Sequence, residues 1–104
     1  MLPKEERLIK GSEIRKTTKG NRIDTPLLSI YSRTNQTGNK RLVVICRKEI
    51  GGAVIRNKTR RALIAGYQII KHKIDKNLDI VIMPRKAIKG QRAAEKALLD
   101  GISG

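Results

Sequence analysis

A chain of 104 residues has room for one domain, residues 1–104, with one modest core, and excludes two. Its 24 Lys+Arg against 9 Asp+Glu give a formal net charge of +15, which repels itself in a compact body and calls for a polyanionic partner, nucleic acid first. With 38% hydrophobic and 32% charged residues it is a charged globule rather than a disordered tail, and with neither Phe nor Trp its core must come from Ile, Leu, Val and Ala.

In chain order, a short helix is predicted from about Ser12 to Thr18, with Ser12 as its N-cap. Leu27-Leu28-Ser29-Ile30-Tyr31 reads as a strand after Pro26, and Arg41 through Cys46 as a second after the turn-like Thr37-Gly38-Asn39. The short loop between them suits an antiparallel hairpin. A long helix from about Ala53 to Lys73 follows the Gly51-Gly52 pair. Asp79-Ile80-Val81-Ile82-Met83, ended by Pro84, is an unbroken apolar strand of the kind buried on both faces. A last helix runs from about Gln91 to Leu99, with Ala94, Ala97, Leu98 and Ile102 available for an inward stripe. This order predicts an α/β sandwich, helices against one small sheet.

The long helix separates its faces. At about 100° per residue, Ile55, Thr59, Ala62, Leu63, Gly66, Ile69 and Ile70 share one side, the expected packing stripe. Asn57, Arg60, Arg61, Gln68 and Lys71 fall opposite, with Arg56 and Tyr67 near a border and Ile64 interrupting the polar face. No carboxylate occurs between Glu49 and Asp75, so these cations lack the i,i+4 acids of a helix built for stability and are free to meet phosphates. Gly51-Gly52 lets the backbone approach a ligand where first-turn amides point outward. The alternative is an ordinary cationic helix with a glycine-rich entry. Two further basic groups are Arg85, Lys86, Lys89 and Arg92 after the third strand, and Arg7, Lys10, Arg15, Lys16, Lys19 and Arg22 near the N-terminus.

Other chemistries find little support. Cys46 and His72 are the single cysteine and histidine, too few for a disulfide framework or a zinc site. Cys46 reads as a small core residue and His72, between Lys71 and Lys73, as solvated. No acid pair, Ser–His pair or metal constellation is visible, so no side chain is expected to be catalytic. No apolar run reaches membrane-spanning length and no signal-peptide core begins the chain, so the expected location is cytoplasmic, with no membrane partner.

Lys48-Glu49-Ile50-Gly51-Gly52-Ala53-Val54-Ile55-Arg56-Asn57-Lys58-Thr59-Arg60-Arg61 resembles the signature of the bacterial ribonuclease P protein subunit, Gly-x-Ala-Val-x-Arg-Asn-Arg-x-Lys-Arg. Gly51, Ala53, Val54, Arg56, Asn57 and Arg61 match outright, Lys58 and Arg60 exchange one cation for another, and Thr59 replaces an aliphatic. Asp79 through Arg85 resembles the family's later strand, Arg7 through Gly20 its basic N-terminal region, and Leu28-Ser29-Ile30-Tyr31 its first strand.

The resemblance implies a two-layer α/β (α+β) sandwich: a small mixed sheet with a long basic helix. That fold is similar to the second domain of the fifth small-subunit ribosomal protein, with a left-handed βαβ crossover against the usual rule. It implies a ribozyme subunit: the RNA binds Mg²⁺ and removes the 5′ leader of precursor tRNA, and no protein partner is implied. Arg56, Asn57, Lys58, Arg60 and Arg61, with Lys48, Lys71 and Arg85, would contact the ribonuclease P RNA, Asn57 nearest its Mg²⁺. Tyr31, Ile14, Thr18 and Arg15 would line the leader cleft, expected between the sheet and the long helix. The family carries aromatics where Ile14 and Thr18 stand and an Arg where Ile64 stands. The competing expectation is a structural RNA-binding protein of ribosomal type; a membrane-surface protein is disfavoured, because the apolar stripe is needed for the core.

Overall fold

The computed structural model describes residues 2–74 and 77–102, the side chain of Ile102 excepted. The elements run α1 (Gly11–Thr18), β1 (Asn21–Asp24), β2 (Leu28–Thr34), β3 (Arg41–Val44), α2 (Ala53–Ile70), β4 (Leu78–Pro84) and α3 (Gln91–Ile102). Short 3₁₀ turns occupy Lys4–Glu6, Lys48–Ile50 and Lys71–Lys73. The predicted sandwich forms, as a four-stranded mixed sheet in the order β1-β2-β4-β3.

β2 and β3 do not make the expected hairpin. β4 lies between them, antiparallel to β2 and parallel to β3. The reason lies in β4 itself: Asp79, Ile80, Val81 and Ile82 are all buried, so the strand needs neighbours and cover on every side. Local chemistry turns the loop away from pairing. Asn35 Nδ2 donates to the Asn39 carbonyl at 3.0 Å, Asn35 Oδ1 accepts from the Thr37 amide at 3.1 Å, and the Asn35 amide donates to the Asn77 carbonyl at 2.7 Å.

β1 was not expected. All four of its residues are exposed, so it carries no burial signal, and pairing with β2 makes it a strand. Helix α1 starts one residue before the predicted cap. Lys10 is the N-cap and makes no side-chain capping bond, and Ser12 lies inside the first turn.

Alternation along the strands gives the sheet two unlike faces. Leu28, Ile30, Leu42, Val44, Ile80 and Ile82 join the main core with α2 and α3; Tyr31 and Val81, with Val43, Ile45 and Met83, pack instead with Leu8 and Ile14 of the N-terminal region. Thus α2 and α3 form the predicted second layer, and the short α1 covers part of the other face.

The buried stripe of α2 is Thr59, Ala62, Leu63, Gly66, Tyr67 and Ile70. Tyr67, expected at a border, is fully buried, whereas Ile55 and Ile69, assigned to the stripe, are 45% and 51% exposed. The helix is rotated towards Gly66, where a Cβ would come within 2.9 Å of the Glu95 backbone nitrogen, so glycine permits the close crossing with α3. Thr59, buried on the predicted stripe, accepts a hydrogen bond from the buried Ile88 amide at 3.2 Å. In α3, Ala94, Ala97 and Leu98 face inward as predicted, while the side chain of Ile102 lies outside the described residues.

Candidate nucleic-acid interface

The entry to α2 is built by backbone conformation. Gly51 has φ 145°, a region L side chains avoid, and Gly52 is the extended N-cap. Beyond it Asn57, Lys58 and Arg61 are exposed and Arg56 and Arg60 half-buried. Arg60 Nη1 donates to Asn57 Oδ1 at 2.9 Å, which fixes the amide with its nitrogen free. Arg56, Lys58, Arg60 and Arg61 have no carboxylate partner among the described residues, and Arg56 Nε is enclosed without a hydrogen-bond partner. Asn57, Arg60, Arg61, Gln68 and Gln91 line one open groove with Ile64 and Ile69 at its floor. The outer face of α2 therefore carries cations with no carboxylate partner among the described residues, beside the apolar Ile64 and Ile69.

Two residues of that face behave otherwise. Lys71 is not free: its Nζ lies 3.0 Å from Glu6 Oε1, and its carbonyl accepts from Lys40 Nζ at 2.6 Å. The acid comes from the far N-terminus, which local spacing does not reveal. Ile64 is half-buried and packs against the main core, so it is a seam rather than an isolated apolar residue on a polar face. With Arg60 it also borders a second groove, towards Leu2, Ile9 and Val43.

Tyr31 does not face α2. Alternation along β2 turns it to the α1 side of the sheet, so the groove it lines lies on the opposite face from the one expected. Arg22, Ser29, Tyr31, Met83, Arg47 and Arg85 line this groove, and Glu49 and Ile50 close it at the turn into α2. Ile14 packs in the same apolar cluster as Tyr31, but neither it, the exposed Arg15 nor the half-buried Thr18 lines the groove. Thr18 Oγ1 donates to the Arg15 carbonyl at 2.8 Å. Lys48 is exposed in the turn preceding α2, and Arg85 is exposed at the rim, its Nη1 3.4 Å from the Thr25 carbonyl. Arg47 was missed, although its place directly after the second apolar run could have suggested it.

The covered end of this face is held by charge. Arg41 Nε and Nη2 donate to Asp79 at 2.8 and 2.9 Å, and Arg41 Nη1 and Nη2 donate to Glu13 at 3.3 and 2.8 Å. Asn35 Nδ2 donates to Asp79 Oδ1 at 2.7 Å. Arg41 thus ties α1 to the sheet, and its hydrogen bonds hold the Glu13 carboxyl below the usual glutamate range. No group of three or more His, Cys, Asp or Glu that could hold a metal occurs among the described residues. Cys46 packs half-buried against the core, and burial pushes its thiol up. No helix among the described residues is long and apolar enough to cross a membrane.

A sequence profile of the family described as Ribonuclease P matches residues 2–100. The ribonuclease P protein component of Syntrophomonas wolfei is 36% identical over 89 residues, covering 85% of this chain and 75% of its own. That of Mycolicibacterium gilvum is 31% identical over 104 residues, covering 94% and 84%. Among solved structures, the RNase P protein from Thermotoga maritima superposes with a TM-score of 0.80 at 25% identity, over 91% of this chain and 93% of that one. A Staphylococcus aureus RNase P protein gives a TM-score of 0.76 at 24% identity, over 96% and 94%, and supports the fold alone.

Proposed function

The chain belongs to the ribonuclease P protein family, a component of a ribonuclease that processes tRNA, and from that premise we propose how its two surfaces divide the work. The outer face of α2, through Arg56, Asn57, Lys58, Arg60 and Arg61, docks on the catalytic RNA, with Lys48 at its entry. The groove on the other face, through Tyr31, Arg22, Arg47 and Arg85, receives the single-stranded 5′ leader of precursor tRNA. The observation carrying this reading is continuity: Glu49 and Ile50, which close the groove, lie in the turn that leads through Gly51-Gly52 into the cationic helix. One rigid turn would then hold the leader a fixed distance from the RNA that cuts it.

Hydrolysis at the leader junction is assigned to the RNA subunit, in a cytoplasmic holoenzyme. The α2 face offers no carboxylate, the donor a hard cation prefers, so it does not fit a direct Mg²⁺ site. Mg²⁺ belongs mainly to the RNA in this reading, and the free amide nitrogen of Asn57 lies among groups that bind phosphate. The protein's contribution is to offset phosphate repulsion between two RNAs, which lowers the Mg²⁺ concentration that cleavage needs.

Reconstitution tests this. The chain is mixed with a bacterial ribonuclease P RNA and precursor tRNA at low Mg²⁺, and leader removal is expected to exceed that of RNA alone. Arg56→Ala and Arg61→Ala should each flatten the salt dependence of RNA binding by about 0.7–0.9 in slope. Cleavage no faster than RNA alone would leave a structural RNA-binding protein as the better reading, and unchanged slopes in both variants would put the docking surface elsewhere.

A further inference from the structure

The groove's ring is already covered. Arg22 and Tyr31 are cross-strand partners in the β1–β2 register, so their side chains stand side by side on the same face. The Arg22 Cζ lies 5.3 Å from the centre of the Tyr31 ring, within cation–π range. Arg22 Nε donates to both oxygens of Asp24, at 3.0 and 3.1 Å, which holds the guanidinium by one edge. Tyr31 is only 9% exposed, whereas the Arg22 side chain is 51% exposed.

From this geometry we propose that Arg22, clamped by Asp24 on Tyr31, is the stacking platform that the groove presents to an unpaired nucleobase of the leader. It rests on the reading that the groove takes the leader. A guanidinium is planar and delocalised, and with the Arg22 side chain half exposed it can offer a face to a base, while its Nη atoms lie outside the Nε–Asp24 bonds and can meet a phosphate. A base approaching Tyr31 directly would have to displace Arg22 and break its bonds to Asp24. Arg47 and Arg85 line the same groove and add two cations that can meet backbone phosphates, and Glu49 is the one acid in that lining. Asp24 acts through Arg22 and is a positioning residue.

The test uses the reconstituted holoenzyme with precursor tRNA carrying 2-aminopurine at successive leader positions, alongside mature tRNA. Fluorescence of the probe reports stacking, and the ratio of precursor to mature affinity reports leader binding. Arg22→Lys keeps the charge and loses the plane; it should cut that ratio roughly fivefold or more and abolish the fluorescence change at one position, as loss of a stacked base does. Asp24→Asn, which loosens the clamp, should give a smaller loss of the same sign. Tyr31→Leu keeps an apolar side chain in the buried cluster and removes the ring beneath; its effect on the ratio should not exceed that of Arg22→Lys. If Arg22→Ala leaves the ratio unchanged or raises it while Tyr31→Leu lowers it, Tyr31 is the platform and the inference fails with the leader reading intact. If no variant at Arg22, Tyr31 or Arg85 moves the ratio, the groove does not take the leader, and both fall together.

Discussion

Arg41 grips Asp79 through two hydrogen bonds, Nε–Oδ1 at 2.8 Å and Nη2–Oδ2 at 2.9 Å, where the carboxylate is only 1% exposed. The pair joins the adjacent parallel strands β3 and β4, at register positions directly opposite one another. A buried ion pair adds little over an apolar one of equal shape, but half a pair is costly. Arg41→Ala should therefore destabilise the fold by about 3–5 kcal/mol. Denaturant unfolding measures this, and Arg41→Ala with Asp79→Asn combined should recover part of the loss. A recovery of zero would mean that the loss does not come from leaving the Asp79 side chain without its partner.

The same guanidinium reaches α1. Its bonds to Glu13 hold that carboxyl below its usual value, so the interaction is complete above the ordinary glutamate pKa of about 4.3 and is lost as pH falls through the lower folded-state value. Stability of the wild type relative to Glu13→Gln should be constant from neutral pH to about 5 and converge below that. The comparison uses unfolding at a series of pH values. Divergence on acidification would reverse the sign and exclude this linkage.

Gly66 sits where α2 and α3 touch. Alanine favours a helix over glycine by about 1 kcal/mol, yet here its Cβ would meet the Glu95 nitrogen at 2.9 Å and Ala94 Cβ at 3.1 Å. Backbone cannot yield as a side chain can, so overpacking should win. Gly66→Ala is expected to cost about 1–3 kcal/mol net, read from the denaturation midpoint. Stabilisation would show that the crossing is looser than the structure has it.

Tyr67 is fully buried, and its hydroxyl has no hydrogen-bond partner among the described residues. Burial pushes its pKa up to about 12. Removing an unpaired buried hydroxyl removes a desolvation cost, so Tyr67→Phe should be neutral or stabilising by up to about 2 kcal/mol. Thermal unfolding checks it, and a clear loss of stability would mean that the hydroxyl is satisfied in solution.

Much of this protein is written locally. The charge of +15, the acid-free stretch between Glu49 and Asp75 and the Gly51-Gly52 entry establish a cationic helix face from residues alone, because helical spacing is a short-range property. The unbroken apolar run of β4 likewise declares a central strand. Which strands neighbour it does not follow, since β2 and β3 could have paired with each other over their short loop. Tertiary packing chose the order β1-β2-β4-β3, and with it made a strand of the exposed Asn21–Asp24. The same packing rotated α2 to bury Tyr67 and expose Ile55, brought Glu6 to Lys71 and joined Arg41 to Glu13. It also laid Arg22 over Tyr31, nine positions away in the chain. These are encounters between segments, decided by which buried surfaces fit together, and no periodicity within one segment encodes them.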